Sequence, residues 1–199
     1  MTDAIAYPLK TRDIKNVIMD STRWNYLAFR DGDIVVATYG KTGTTWTQQI
    51  VGQLVHQGED SSLFEASPWV DFRIAPLEIV LEGLAAQKHR RFMKTHLPLD
   101  ALVFSPKARY LYVVRDGRDV AWSMFNHHAG FTEQVYPMFN NIYGRQGDPL
   151  APPGSDVRQY SWIGSTAAGC RSACRSGSTC RGGTTRATCP TCSCCTSTI

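Results

Sequence analysis

Short apolar runs alternate along this chain with longer segments whose apolar residues recur every three or four positions. The runs at 34–38, 91–94 and 108–114 predict strands, whereas the periodic segments after 43, over 74–88 and after 118 predict helices. Turn-forming residues predict turns over 56–68 and a loop over 144–156. Strands that alternate with helices are typical of a parallel sheet with helices on both faces. The expected fold class is therefore α/β, a parallel sheet flanked by helices.

Residues with candidate chemistry follow the predicted strands. Lys41, His96 and Arg115 each come within a few positions of a strand end. Ligands of open parallel sheets collect beyond the carboxyl ends of the strands. We therefore expect these three side chains to face one crevice.

The segment 38–46, Thr-Tyr-Gly-Lys-Thr-Gly-Thr-Thr-Trp, joins the first predicted strand to the first predicted helix. Such a turn aims backbone N–H groups and the positive helix end at one point, which favours an anion. The ATP or GTP phosphate loop requires a glycine where this chain has Val35, so that pattern is not met. The remaining features suit one phosphate and a flat base. Taken alone, the segment favours a polar strand-to-helix loop that binds no ligand.

Charge and composition narrow the classes of partner. Four of the 21 Lys and Arg residues lie after Trp162, where no Asp or Glu occurs, so the rest of the chain balances its 17 acidic residues. This balance does not indicate a nucleic-acid surface. No apolar run has bilayer length, and residues 1–5 do not resemble a signal peptide. We expect no nucleic-acid partner, no membrane partner and a cytoplasmic location.

The segment 163–199 differs from residues 1–162 and is treated as a separate tail. It contains all seven cysteines and, from Gly164 onward, almost only Gly, Ser, Thr, Ala, Cys and Arg. Such a segment cannot bury enough apolar surface to offset the entropy of ordering it, which predicts disorder.

Three hypotheses address this cysteine-rich composition. A zinc site built on Cys189 and Cys192 lacks a second well-spaced pair. A disulfide framework requires an even number of cysteines and a secreted context, and neither is found. The preferred hypothesis is a shifted reading frame, because regrouping the codons permitted over 187–199 allows a buried strand with a polar end.

Three segments carry a family resemblance. Residues 39–46 resemble the 5'-phosphosulfate loop Tyr-Pro-Lys-Ser-Gly-Thr-Thr-Trp of the cytosolic-type sulfotransferases, with Gly40 and Thr42 in place of proline and serine. Lys-Thr-His-Leu-Pro at 94–98 resembles a second family segment, and 110–123 resembles its 3'-phosphate segment. The resemblance, which includes bacterial aryl and alcohol sulfotransferases, runs from about residue 24 to about residue 160. It implies a P-loop-like sulfotransferase fold that is incomplete at its C-terminus.

The resemblance also implies a reaction. A sulfuryl group would pass from 3'-phosphoadenosine 5'-phosphosulfate (PAPS) to a small hydroxyl-bearing acceptor, without a metal ion. His96 would be the general base, since an imidazole accepts protons near neutral pH, although a lone histidine can also be structural. Lys41 would contact the 5'-phosphate and the leaving oxygen, and Lys94 would hold the sulfuryl group.

The remaining implied ligands bind the two phosphates and the purine. The loop would contribute N–H and hydroxyl donors from Thr42, Gly43, Thr44 and Thr45, and Arg115 and Ser123 would bind the 3'-phosphate. Trp46 would stack on the purine, yet it also shares helical spacing with the apolar positions Ile50, Val51, Leu54 and Val55, which predicts a core position.

Other candidate residues have weaker patterns. Arg118 is an alternative phosphate ligand, but pairing with Asp119 on the surface is favoured. The adjacent residues His127 and His128 diverge on a helix and are assigned no metal. Four aromatic residues either surround the acceptor or belong to the core: Trp69, Phe72, Phe131 and Tyr136.

The resemblance implies that family members continue roughly a hundred residues further. We therefore expect this chain to carry the sulfotransferase signature with little or no turnover, and the homodimer possible in the family is doubtful here. One alternative is an inactive fragment that only binds adenosine 3',5'-bisphosphate. A second is a nucleotide kinase-like phosphotransferase.

Overall fold

The computed structural model describes residues 7–58, 62–157 and 160. Its strands are β1 (Asp33–Thr38), β2 (Phe92–Thr95) and β3 (Ala108–Val113), and its helices are α1 (Thr44–His56), α2 (Leu63–Ala66), α3 (Leu77–Ala86), α4 (Gly117–Ala129) and α5 (Val135–Asn140). Short 3-10 helices cover Ser21–Tyr26 and Leu99–Ala101. The described residues fall within one compact unit, Met1–Tyr160. The predicted tail, its disorder and the three cysteine hypotheses lie outside the described residues.

The strands form one parallel sheet in the order β2-β1-β3. Ala37 of β1 pairs with Thr95 of β2, and Thr38 pairs with Val113 of β3. All three carboxyl ends therefore reach the same edge of the sheet, where the predicted site residues follow. The predicted α/β class is confirmed.

Helices cover both faces of this sheet because successive strand residues point to opposite sides. On one face, Val36 and Phe92 pack with Val51 of α1. On the other face, Val35 and Met93 share a larger core with Val80 and Leu84 of α3, the first 3-10 helix and the N-terminal segment. The predicted two-sided arrangement is confirmed.

A buried ion pair joins the beginnings of β1 and β2. Arg91 donates through Nε to Asp33 Oδ1 at 2.9 Å and through Nη2 to Asp33 Oδ2 at 2.5 Å. Their side chains are only 4% and 1% exposed. A buried ion in such a fork is costly to leave without its partner, so the pair helps to hold the two strands in register.

Two local predictions need correction. The segment predicted as turns over 56–68 contains the single-turn helix α2, whose Ala66 packs against α1 and the sheet. The second predicted helix is shorter than 74–88, because Pro76 is its N-cap and accepts the first intrahelical bond from Val80. The predicted loop over 144–156 contains no helix or strand.

No helix in the described part of the chain is long and apolar enough to cross a bilayer.

Candidate active site

The turn between β1 and α1 has the backbone shape of an anion-binding loop. Lys41 and Gly43 both lie in the left-handed region, with φ of 65° and 113°. Glycine adopts that region freely, but a lysine there is strained, and such strain is concentrated at functional sites. Thr42 closes the turn by donating its hydroxyl to the carbonyl of Tyr39 at 2.7 Å.

Helix α1 begins without a side-chain cap. Gly43 is its N-cap, and the first intrahelical bond runs from Thr47 N to the Gly43 carbonyl at 3.0 Å. Helix geometry therefore leaves the N–H groups of Thr44, Thr45 and Trp46 without intrahelical partners. These groups and the positive helix end favour an anion at this turn.

Hydroxyl groups tie the turn to the end of β1. Thr38 Oγ1 and Thr44 Oγ1 are 2.5 Å apart and buried. Thr42 and Thr44 are 7% and 8% exposed, whereas Thr45 is exposed. The structure thus engages two of the predicted hydroxyl donors in internal bonds and leaves Thr45 facing solvent. Their role in donor binding stays a prediction.

His96 follows β2 and reaches across to β1. Its Nδ1 lies 2.8 Å from the carbonyl of Thr38, which can only accept, so Nδ1 carries a proton and donates. Burial and, to a smaller extent, the nearby Lys94 charge lower the pKa of His96 to about 4, although this hydrogen bond opposes the shift. At neutral pH the ring is therefore uncharged, and Nε2 is the atom able to accept a proton.

Lys94 stands beside this imidazole on β2. Its Nζ lies 4.9 Å from the centroid of the Trp69 ring, within the range of a cation–π contact. Burial lowers the pKa of Lys94, while the Asp71 charge opposes that shift. The Trp69 ring meets the His96 ring edge-on, with centroids 4.7 Å apart. Trp69 therefore contacts both predicted catalytic groups here, Lys94 on β2 and His96 directly after it.

Arg115 connects the end of β3 to the turn. Its Nη1 donates to the carbonyl of Lys41 at 3.4 Å, and its Nε lies 3.5 Å from Asp119. The structure thus brings Lys41, His96 and Arg115 around the carboxyl end of β1. Ser123 lies on α4, and no hydrogen bond joins it to Arg115 among the described residues.

Two sequence predictions about single residues are wrong. Arg118 pairs with Asp116 at 3.2 Å, not with Asp119, because Asp116 is the N-cap of α4 and Arg118 lies in its first turn. Trp46 is 78% exposed and is not a core residue. On α1 it shares an outward stripe with Ile50 and Leu54, whereas Val51 is buried. The exposed indole has a free surface on which a base can stack.

The predicted acceptor aromatics form two groups. Phe72 stacks on Trp69, with ring centroids 4.4 Å apart, and contacts Phe139 at 6.1 Å. Phe131 and Tyr136 line a cleft of about 630 Å³ beside α4 and α5. The ring centroids of Phe131 and Phe139 are also 6.5 Å apart, so a series of neighbouring aromatic rings runs from His96 to the cleft. None of the four predicted aromatics lies in the fully buried core.

Two buried contacts near this site were not predicted from the sequence. His128 is 3% exposed and its Nδ1 lies 2.7 Å from the Tyr160 hydroxyl, while burial lowers the pKa of His128 to about 4. Asp71 is fully buried and accepts bonds from two indole groups, those of Trp24 and Trp69. An acidic residue within the apolar run Trp69-Val70-Asp71-Phe72 was the only signal for the second contact.

The chain is similar to known sulfotransferases. Residues 31–153 match the family model described as "Sulfotransferase domain". A glycolipid sulfotransferase of Mycobacterium tuberculosis is 39% identical over 159 residues, which cover 79% of this chain and 47% of the relative. Human sulfotransferase 2B1 is 32% identical over 131 residues, or 62% of this chain and 31% of that protein.

The chain thus spans about half the length, or less, of these curated relatives. A crystal structure of retinol dehydratase in a complex with retinol and PAP is similar over 53% of this chain and 42% of the retinol dehydratase chain. The two share 27% identity, and the TM-score is 0.44. Since the family model covers more than half of the sequence, this chain belongs to the sulfotransferase domain family.

Proposed function

We propose that this chain binds PAPS at the carboxyl edge of its sheet and transfers the sulfuryl group to a hydroxyl-bearing acceptor. One observation carries the proposal. His96 donates to the carbonyl of Thr38, the last residue of β1, and the anion-binding turn begins directly after it. The predicted proton acceptor and the predicted phosphate loop therefore share one strand end.

The turn supplies the binding groups for the 5' end of the donor. The N–H groups at the start of α1 would bind the 5'-phosphate, and Lys41 would neutralise the charge that grows on the leaving oxygen. Arg115 would bind the 3'-phosphate, with its guanidinium already held near the turn by the Lys41 carbonyl. Trp46 would stack on the purine.

Proton transfer follows from the tautomer of His96. The acceptor hydroxyl would donate its proton to Nε2 while its oxygen forms a bond to sulfur. The bond from sulfur to the 5'-phosphate oxygen would break, and its electron pair would leave with the nucleotide. Lys94 and Lys41 would offset negative charge on the transferring group, so that positioning and electrostatics do most of the work.

The low pKa of His96 is compatible with a site that binds an anion next to the ring. An imidazole with a pKa of about 4 is a weak base. A negatively charged donor nearby favours the imidazolium form and raises the pKa. Donor binding would therefore strengthen the base at the moment when an acceptor can react.

The acceptor would lie against Trp69 and Phe72 and extend toward the cleft lined by Phe131 and Tyr136. These rings favour an apolar body that carries a hydroxyl group. Because the mycobacterial relative is a glycolipid sulfotransferase, glycolipids are the first acceptor class to test, followed by phenols and simple alcohols.

Calorimetry with adenosine 3',5'-bisphosphate tests the donor site. We expect saturable binding by the wild type and at least tenfold weaker binding by Lys41→Ala, since a charged contact contributes about 1.5–3 kcal/mol. Lys107→Ala is the matched control, because this exposed lysine precedes β3 at the opposite edge of the sheet. Equal affinity in all three proteins would contradict the proposal.

Transfer of labelled sulfate from PAPS tests the reaction, with His96→Ala as the comparison. Turnover that depends on His96 supports the full proposal, and bisphosphate binding without any turnover supports the binding-only alternative. If ATP with magnesium protects the chain from heat better than the bisphosphate does, the kinase-like alternative replaces both.

A further inference from the structure

A buried carboxyl group lies behind the proposed catalytic groups and takes no part in the chemistry above. Asp71 is 0% exposed, and both of its oxygens accept indole N–H groups. Oδ1 accepts from Trp24 at 3.0 Å, and Oδ2 accepts from Trp69 at 2.8 Å. A polar group in such a place is costly unless its hydrogen bonds are well formed.

The two indole groups have different neighbours. Trp24 is 1% exposed and packs in the core, where its ring stacks near Phe29. Trp69 instead touches the proposed catalytic groups, with its ring 4.7 Å from that of His96 and 4.9 Å from Nζ of Lys94. The same carboxyl group therefore anchors one purely structural indole and one that forms a wall of the site.

Backbone contacts hold Asp71 itself in place. Its carbonyl accepts from the N–H of Asp20 at 2.9 Å, and the N–H of Lys94 donates to the carbonyl of Pro68 at 3.0 Å. Trp69 also forms an isolated parallel bridge with Lys94. The segment that carries Trp69 and Asp71 is therefore fastened beside β2. The Asp71 bond, together with the stacked Phe72 ring, restricts rotation of the indole.

On the basis of the proposed function, we propose that Asp71 is a positioning residue for the sulfuryl-transfer site. Its carboxyl group holds the Trp69 indole, and the indole in turn fixes the His96 ring and the Lys94 ammonium. Asp71 touches neither donor nor acceptor in this arrangement. It acts on the His96 ring through Trp69, while its charge also raises the pKa of Lys94 directly.

The chemistry of the carboxyl group explains why aspartate serves here. Both oxygens can accept an N–H whether or not the group is ionised, and burial raises the pKa of Asp71. In Asp71→Asn, one oxygen becomes an NH₂ group, which would face an indole N–H, donor against donor. One of the two indole bonds must then be lost, and the Trp69 ring becomes free to turn.

Three variants separate positioning from a purely structural role. Trp69→Phe keeps an aromatic ring but removes the N–H that reaches Asp71. Trp24→Phe removes the equivalent bond to the other oxygen and is the matched control, since Trp24 does not contact His96 in the described structure. Asp71→Asn disrupts the acceptor itself.

The readout is the titration of the His96 ring by NMR of histidine-labelled full-length chain, without any nucleotide. The His96 signal is assigned by its loss in His96→Asn. In the wild type we expect a midpoint near the pKa of about 4. In Trp69→Phe and Asp71→Asn we expect the midpoint to rise toward 6.5, because a mobile indole admits water to the ring and lets Lys94 move away. Trp24→Phe should leave the midpoint unchanged.

An unchanged midpoint in Trp69→Phe overturns the proposal, as does an equal rise in Trp24→Phe. If Asp71→Asn fails to fold, the two tryptophan variants still decide the question, since each keeps the carboxyl group. A double variant, Asp71→Asn with Trp69→Phe, should shift the midpoint no further than Asp71→Asn alone, because Asp71→Asn already removes the bond that holds the indole.

The outcome is independent of the proposed reaction. The titration uses no donor, so it reports positioning even if the chain neither binds the bisphosphate nor transfers sulfate. Conversely, bisphosphate binding with an unmoved His96 midpoint in Trp69→Phe would leave the donor site intact and refute only the role of Asp71.

Discussion

Replacing His96 should make the stability of this protein less sensitive to acid. His96→Asn is the informative change, because the asparagine side-chain NH₂ can take the place of Nδ1–H and donate to the Thr38 carbonyl. The substitution thus removes the titrating ring while keeping its main hydrogen bond. Any difference in pH dependence between the two proteins then reports the proton affinity of the ring.

The magnitude follows from the pKa of His96 in the two states. In the folded chain this pKa is about 4, below the usual 6.5, because burial disfavours the imidazolium. The unfolded state therefore binds more protons. The free energy of unfolding falls as the pH falls from 6.5 to 4. Complete protonation would cost about 3 kcal/mol, and at pH 5 the loss is about 2 kcal/mol. His96 keeps part of its surface in solvent, which reduces the expected loss to about 1–2 kcal/mol.

Urea unfolding followed by tryptophan fluorescence, at pH 7 and at pH 5, measures this loss. The wild type should lose about 1–2 kcal/mol more than His96→Asn between the two pH values. His128, whose pKa burial also lowers to about 4, is present in both proteins and cancels from the comparison. Equal losses in the two proteins, within about 0.3 kcal/mol, would show that His96 is not held uncharged by the fold.

Three further predictions concern neighbouring residues. Arg115→Ala should weaken binding of adenosine 3',5'-bisphosphate, measured by calorimetry, by about tenfold or more. Arg118→Ala should leave the affinity unchanged, because Arg118 is 93% exposed and pairs with Asp116 outside the turn. Arg91→Met should lower the free energy of unfolding by about 3–5 kcal/mol by leaving the buried Asp33 carboxylate unpaired, and adding Asp33→Asn should recover part of that loss in urea unfolding. Trp46→Ala should change stability by less than about 0.5 kcal/mol because the ring is exposed, yet it should weaken bisphosphate binding by about 1–3 kcal/mol through loss of the stack.

The α/β architecture was predictable because it depends on short-range periodicity. Apolar runs after turn residues identified all three described strands, to within one residue at the ends. Parallel pairing then follows from the alternation with helices, and it places the strand ends on one edge. For this reason the meeting of Lys41, His96 and Arg115 could be expected from the sequence.

The positions of individual side chains were less accessible to pattern analysis. Periodicity assigned Trp46, Ile50 and Val51 to one inward face, but successive helix residues differ by about 100° and only Val51 turns toward the sheet. The pairing of Arg118 also depended on which acidic residue became the helix cap. Such choices are decided by packing and capping, which a one-dimensional pattern does not contain.

The sequence by itself therefore determined the chemistry available and the edge of the sheet at which it gathers, because strand periodicity and motif spacing are local properties. Only the tertiary structure decided the tautomer and low proton affinity of His96 and the burial of Asp71 against the Trp24 indole. Both depend on burial and on contacts between segments far apart in the chain: Thr38 lies 58 residues from His96, and Trp24 lies 47 residues from Asp71. Such contacts exist only after the chain has folded.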